Sequence, residues 1–272
     1  IAIILGKKED ADRYAALMPK IRAAFQKEFM TQTGRLTSNT QTAYVLALSF
    51  GLLPDEMVPV AAKRLADDIN YFGHLTTGFL GTPLICQALT DNGYPEIAYK
   101  LLFNKRYPSW LYPVTMGATT IWERWDGIKP DGTFQDVGMN SFNHYAYGAV
   151  GDWLYSSVAG IQIDPEKPGY KQIIIKPHLT EQLDVVKAQF HSMFGQIFVQ
   201  WKQDEKSLKF ELKIPPNTTA RFYVPCGDAS LISEGGRSIV DSKDIKQLGT
   251  EDNRVMLEIG SGKYAIEVMK EK

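Results

Sequence analysis

Near Gly160 the apolar residues change their repeat, and no other feature of this 272-residue chain constrains its fold as much. Ahead of that point they recur every three or four positions, the spacing of a helix with one buried stripe. Beyond it they alternate with polar residues, as a strand with one wet and one buried face must. In the first half, Tyr14, Leu17, Ile21, Ala24, Phe25 and Met30 predict a helix from Asp10 to Met30. A loop follows over Thr33–Asn39, with Ser38, Asn39 or Thr40 placed to cap an apolar helix that ends at Gly51. Pro54-Asp55-Glu56 opens another to about Phe72; further helices are read over Pro83–Asp91, from Pro95 through Leu101, and from about Phe142 to Ser156. That makes about six helices, joined alternately by plain and elaborate loops. Helical hairpins set in a ring give this pattern, with tight turns on one rim and the chemistry on the other.

In the second half, strands are read over Lys171–Pro177, Val185–His191, Gln196–Gln203, Ser207–Ile214, Thr219–Val224, Arg254–Ile259 and Gly262–Val268, with Gly, Pro, Asn or Asp between them. Seven or eight such strands predict an antiparallel β-sandwich. The expected domains are therefore a helical one over residues 1–157 and a β-sandwich over 158–272. No cluster of titratable groups converges in the second, which reads as a packing domain.

The most telling local stretch is Thr119-Thr120-Ile121-Trp122-Glu123-Arg124-Trp125-Asp126-Gly127. It sets one carboxylate between two indoles, in a passage with neither helical nor strand periodicity. Two tryptophans are too much apolar area to lie idle on a surface loop. Indole faces stack on the C–H faces of a pyranose, and apolar walls hold a carboxylate near the basicity that general-base work requires. The bland alternative is a buried Glu–Arg pair among core tryptophans. His144, just after the long loop that holds Glu123, is the second candidate; a lone histidine among aromatics is otherwise most often a core residue.

Other chemistries find little support. A net charge of −1 gives no strong attraction to nucleic acid or anionic lipid, and no apolar run approaches the roughly 18 residues of a membrane span. Hydrophobic residues at 44% and charged residues at 22% describe a globular chain with enough apolar material for a core. Cys86 and Cys226 are too far apart in sequence to suggest a disulfide, and with His74, His144, His178 and His191 scattered no zinc site is expected. Asp126, Asp131 and Asp136 lack the ligand spacing of a calcium loop, and Asp131-Gly132-Thr133 reads as a turn. No phosphate-binding glycine loop or nucleophile elbow occurs. No cofactor is expected, and the compartment stays open.

Four blocks together carry a family resemblance: Thr76-Thr77-Gly78-Phe79-Leu80-Gly81-Thr82, Tyr107-Pro108-Ser109-Trp110, Gly117 through Trp125, and Ser141-Phe142-Asn143-His144-Tyr145-Ala146-Tyr147-Gly148. In order, spacing and content they resemble the bacterial α-L-rhamnosidases of glycoside hydrolase family 78, and the following β-domain resembles the C-terminal domain of that family. The resemblance implies an (α/α)6 barrel followed by a β-sandwich, hydrolysing terminal α-L-rhamnosyl groups of oligosaccharides or plant glycosides with inversion. It implies Glu123 as general base, His144 as a rhamnose contact, and Trp110, Trp122 and Trp125 as residues lining or bordering the sugar pocket. It also implies that half the barrel and the general acid lie elsewhere, since Lys7-Lys8-Glu9-Asp10 reads as a solvated helix start. Ile1-Ala2-Ile3-Ile4-Leu5-Gly6 has no initiating Met or basic leader, and reads as the middle of a longer enzyme whose N-terminal part is this chain's partner. The alternatives are another (α/α)6 carbohydrate enzyme, a glycosidase or polysaccharide lyase, or a carbohydrate-binding fragment without catalysis.

Overall fold

The computed structural model describes residues 1–242 and 244–270. The chain divides into two compact units, Ile1–Val150 and Gly151–Lys272.

The first unit is helical: α1 Lys8–Phe29, α2 Gln41–Ser49, α3 Val58–Phe72, α4 Thr82–Asp91, α5 Pro95–Phe103 and a short α6 Leu111–Thr115 that the sequence did not announce. Local chemistry sets the ends. Thr40 Oγ1 accepts the Ala43 N–H at 3.2 Å at the start of α2. Prolines sit in the first turns of α3, α4 and α5, where a missing N–H costs nothing. α2 packs on α3 and α4, and α4 on α5, around a core that includes Tyr44, Val45, Leu65, Ile69, Ile85, Leu89 and Tyr99.

Gln41 joins this core to a loop of the site. Wholly buried, its amide donates to the His74 carbonyl at 3.2 Å and its Oε1 accepts the Thr76 N–H at 2.7 Å. At the far end of that loop, the Thr77 and Thr82 hydroxyls meet at 2.8 Å. A Cβ on Gly81 would stand 2.8 Å from the Thr77 methyl and 2.9 Å from Thr42 Oγ1, so only glycine fits there. Phe79 is thus presented by a loop fixed at both ends.

Two expectations are corrected. Half a ring of helices, read from the sequence, is expected to leave its packing faces open, with apolar stripes such as Val45, Leu48 and Leu52 or Leu84, Leu89 and Ile97. Val45, Leu89 and Ile97 are buried and the others partly so, because α2, α4 and α5 pack on one another. The open apolar face belongs to α1, which buries none of its residues and leaves Tyr14, Leu17, Met18, Ile21 and Phe29 exposed, with Ile1, Ile3, Ile4 and Leu5 ahead of it. Polar links hold α1 to the unit: Arg22 donates to the Leu53 carbonyl at 2.7 Å and Gln26 to that of Leu52 at 3.0 Å.

The helix expected from about Phe142 to Ser156 is the second correction. Residues 142–145 are irregular. A 3-10 turn spans Ala146–Ala149, α-helix only Val150–Trp153, and a π-turn Leu154–Val158. The Ser141 and His144 N–H groups and the Ser141 and Phe142 carbonyls bond to another segment, and the Asn143 N–H bonds to Ser141 Oγ; Gly148 and Gly151 lower the helix propensity of the turns around them.

The second unit holds two sheets, ordered β1–β2–β6–β10–β9 and β3–β4–β5–β11–β7–β8. The strands read from the sequence are β2 Gln172–Ile175, β3 Val185–Ser192, β4 Gly195–Gln203, β5 Ser207–Ile214, β6 Thr219–Val224, β10 Arg254–Ile259 and β11 Gly262–Met269. β1 Ile161–Ile163, β7 Ile232–Glu234, β8 Arg237–Ser238 and β9 Ile245–Glu251 were not read. Three of them are too short to show a period, and β9 carries Lys246, Gln247 and Gly249. All pairs are antiparallel except β2 with β6. β3, β4 and β5 lie in the other sheet, so the chain returns beside β2 in the same direction. Phe210 of one sheet meets Phe222 of the other edge-on at 4.9 Å, next to fully buried Trp201, whose indole donates to the Val158 carbonyl at 2.8 Å. Burial, then Arg254 and Lys176, push the His178 imidazole down to about 4, so it packs as a neutral ring near pH 7.

Candidate functional site

Two irregular segments, 120–123 and 141–144, lie side by side in the first unit. The Glu123 N–H donates to the Ser141 carbonyl at 2.8 Å, and the Ser141 N–H returns to Glu123 Oε2 at 2.8 Å. The His144 N–H donates to the Ile121 carbonyl at 2.9 Å. The Thr120 hydroxyl donates to the Phe142 carbonyl. The half-buried Glu123 carboxylate therefore has one oxygen tied to a backbone N–H, a charge-assisted bond of the stronger kind. The structure brings Glu123 and His144 onto one clamp although they lie 21 positions apart in sequence.

Beneath the clamp is an aromatic cluster. Trp122 packs edge-on against Phe142, 5.1 Å between ring centres. Trp125 lies flat on Tyr147 at 3.7 Å and 9°, and meets Trp110 edge-on at 5.7 Å. The Trp110 indole donates to the Tyr147 carbonyl at 2.9 Å. Trp110, Trp122 and Trp125 are 9%, 5% and 8% exposed, so their faces are spent mostly on each other and on Tyr147 and Phe142.

The loop after Trp125 returns to its own root. The Gln135 N–H and the Asn140 side-chain amide both donate to the Gly127 carbonyl, at 3.1 and 3.0 Å. A Cβ on Gly127 would stand 2.8 Å from Asn140 Oδ1 and 3.2 Å from both the Phe142 and Trp122 rings. Asp131 forms the turn read from the sequence: the Thr133 hydroxyl and then its N–H, at 2.7 and 3.0 Å, bind its carboxylate and hold it below the usual range.

Asp126 takes Arg124 Nε at 3.3 Å and the Gln135 amide at 2.5 Å. The cation beside Glu123 is therefore directed to Asp126, in place of the Glu–Arg pair considered from the sequence. Burial raises the Tyr147 phenol above its ordinary value; Tyr107, Asp126 and Glu123 add to that rise and Arg124 opposes it. Burial, followed by Asp126, raises Tyr107 likewise. Both phenols stay protonated near neutral pH and available as donors.

The His144 ring stacks on Phe79 at 4.8 Å and 15°. The two line an open depression of about 740 Å³ with Pro83, Ile121, Tyr145, Ala146, Gly148 and Ala149. Glu123 and the three tryptophans do not line it. Three contributors escaped the sequence reading: Phe79 as the stacking partner of His144, the Ser141 N–H as partner of the carboxylate, and Asp126 as partner of Arg124. Only Phe79 left a signal, in its conspicuous threonine- and glycine-rich loop. Among the described residues no group of three or more His, Cys, Asp or Glu side chains is placed to hold a metal ion.

Comparison with known proteins agrees over nearly the whole chain. Residues 1–158 match the bacterial alpha-L-rhamnosidase 6 hairpin glycosidase domain, and residues 160–238 the bacterial alpha-L-rhamnosidase C-terminal domain. An alpha-L-rhamnosidase of Streptomyces avermitilis is 41% identical over 269 residues, covering 98% of this chain and 25% of that protein. One from Formosa agariphila is 38% identical, covering 97% of this chain and 28% of its own length. The crystal structure of the Streptomyces avermitilis enzyme complexed with L-rhamnose superposes with a TM-score of 0.90 at 40% identity, over 98% of this chain and 25% of that one. The structure of the Dictyoglumus thermophilum alpha-L-rhamnosidase gives a TM-score of 0.86 at 34% identity, over 99% of this chain and 30% of that one. The chain thus spans about a quarter of the length of the relatives it matches.

Proposed function

Because this chain belongs to the bacterial alpha-L-rhamnosidase six-hairpin glycosidase family, we propose that it supplies the general base of an inverting α-L-rhamnosidase. Glu123, ionised, takes a proton from a water that attacks the anomeric carbon of a terminal α-L-rhamnosyl group of an oligosaccharide or plant glycoside. The general acid that protonates the leaving oxygen belongs to the part of the relatives' length that these residues do not span. An inverting pair stands roughly 6.5–9.5 Å apart, which leaves room for the water. Residues 1–157 form the C-terminal part of the helical catalytic ring and 158–272 the β-domain after it.

The observation that carries this reading is the grip on Glu123. A carboxylate with one oxygen held by the Ser141 N–H at 2.8 Å keeps the other for water, on the segment pair that also presents His144. Trp110, Trp122 and Trp125 border the sugar site and hold its floor rigid through their mutual packing. A panel of aryl glycosides assayed with the full-length protein tests the reading. Product from the α-L-rhamnoside alone supports it; turnover of another glycoside, or binding with no turnover, favours the other carbohydrate enzymes or the non-catalytic module.

His144 contacts sugar hydroxyls in this proposal, from the stacked position against Phe79. His144→Ala is expected to weaken rhamnose binding by about 1–3 kcal/mol, the cost of leaving buried polar partners unpaired, while melting changes little. Calorimetric titration with L-rhamnose beside a thermal scan checks it. Early melting with unchanged affinity would make His144 a packing residue.

A further inference from the structure

We propose that Thr120 is a positioning residue whose hydroxyl fixes the backbone that aims Glu123; this rests on the reading of Glu123 as the base. Four consecutive peptide groups of the 140–144 segment are each pinned once to 120–123. The 140–141 peptide gives its N–H to Glu123 Oε2, and the 141–142 peptide accepts the Glu123 N–H through the Ser141 carbonyl. The 142–143 peptide accepts the Thr120 hydroxyl through the Phe142 carbonyl, and the 143–144 peptide gives the His144 N–H to Ile121. Three of these bonds need only backbone or Glu123 itself. The fourth depends on one side chain, which no role described above uses.

The coupling is geometric. Neither segment is a regular strand, so no ladder continues on either side; apart from Thr120, the 142–143 peptide is held by its Asn143 N–H, which donates to Ser141 Oγ at 3.1 Å within its own segment. The plane that Thr120 fixes adjoins the Ser141 carbonyl that receives the Glu123 N–H, and the Ser141 N–H that orients the carboxylate belongs to that same residue. Releasing the Phe142 carbonyl leaves the 142–143 peptide tied to its own segment through Ser141 Oγ but not to 120–123, which loosens the middle of the clamp and lets the carboxylate drift from the attacking water. Thr120 is exposed, so its hydroxyl exchanges one partner for water at little cost to stability. Its contribution lies in where it puts Glu123. A displacement of about 1 Å at a reacting group costs on the order of 10²-fold in rate, and a partial loosening costs less.

In the full-length protein, Thr120→Val keeps the branched shape and removes the donor. It is expected to lower kcat about tenfold on an aryl α-L-rhamnoside, with KM within about twofold and melting nearly unchanged. Thr120→Ser, which keeps the donor, is expected to restore most of kcat. Because the effect runs through Glu123, Thr120→Val added to Glu123→Gln is expected to lower the residual rate no further. The proposal is overturned by a fall of less than about threefold, by a serine variant as poor as the valine one, by a further loss in the double variant, or by a loss that tracks a lower melting temperature. If Glu123→Gln is inactive while Thr120→Val matches wild type, Thr120 alone is removed from the account. If Glu123→Gln is itself active, the reading of the base fails with it.

Discussion

Glu123→Gln in the full-length protein is expected to lower kcat on an aryl α-L-rhamnoside by about 10²–10⁴-fold, the usual worth of a general base. The amide keeps the size and planar shape of the carboxylate. It can still face the Ser141 N–H that meets Oε2 at 2.8 Å, and the Glu123 backbone bond to Ser141 is untouched. The sugar should therefore bind much as before, and KM should move far less than kcat. That split marks an interaction that acts in the transition state more than in the ground state. A variant keeping more than about a tenth of wild-type turnover would remove Glu123 from the role of base.

The second large effect concerns α1. Residues 1–272 expressed alone are expected to associate or precipitate, and to show no rhamnosidase activity. α1 and the residues ahead of it expose many large apolar side chains, and Ile1, Ile3, Leu5 and Tyr14 line a shallow groove there with Lys7 and Asp10. Contiguous apolar surface beyond a few hundred Å² is rarely left to water. The edge of α1 is tied to the unit through Arg22, Gln26 and the Phe29 carbonyl, which accepts the Thr37 N–H at 2.9 Å, so its outer face is free to meet a partner. Size-exclusion chromatography with light scattering reads the outcome, and Leu17→Glu combined with Ile21→Glu should shift the protein toward monomer. A wild-type monomer at high concentration, or activity in the isolated chain, would contradict the expectation.

Much of this fold was legible because local chemistry and tertiary packing agree. β5, with strict alternation over Ser207–Ile214, was readable to the residue, and the stop of α3, read at about Phe72, falls at Phe72. α1 shows what periodicity leaves out: a stripe of Tyr14, Leu17 and Ile21 announces a helix but not what covers it. The residues after Ser141 failed for the opposite reason. Their helical spacing was genuine, yet backbone bonds to a segment some twenty positions away took the groups a helix would have used. β7 and β8 are too short to show any period.

The site divides in the same way. Glu123, the tryptophans and His144 stand out by residue type, since few passages pair indoles with a carboxylate. The clamp does not, because backbone N–H and carbonyl groups are common to every residue and leave no mark in a sequence. Nor does a sequence show which way an indole turns. Two tryptophans flanking a carboxylate suggested open walls, whereas Trp125 lies flat on Tyr147 and Trp122 against Phe142. Arg124, next to Glu123 in the chain, bonds to Asp126 instead.

The role of Glu123 is tested most directly by removing its side chain and supplying a nucleophile that needs no base. Full-length Glu123→Ala is incubated with an aryl α-L-rhamnoside and azide, and the sugar product is identified by proton NMR. Azide attacks the anomeric carbon from the face the water would use, while the leaving oxygen takes its proton from the intact general acid. The account predicts that azide restores aryl release and that the product is β-L-rhamnosyl azide. Formation of the α-azide, or a folded variant that azide does not revive, would contradict it.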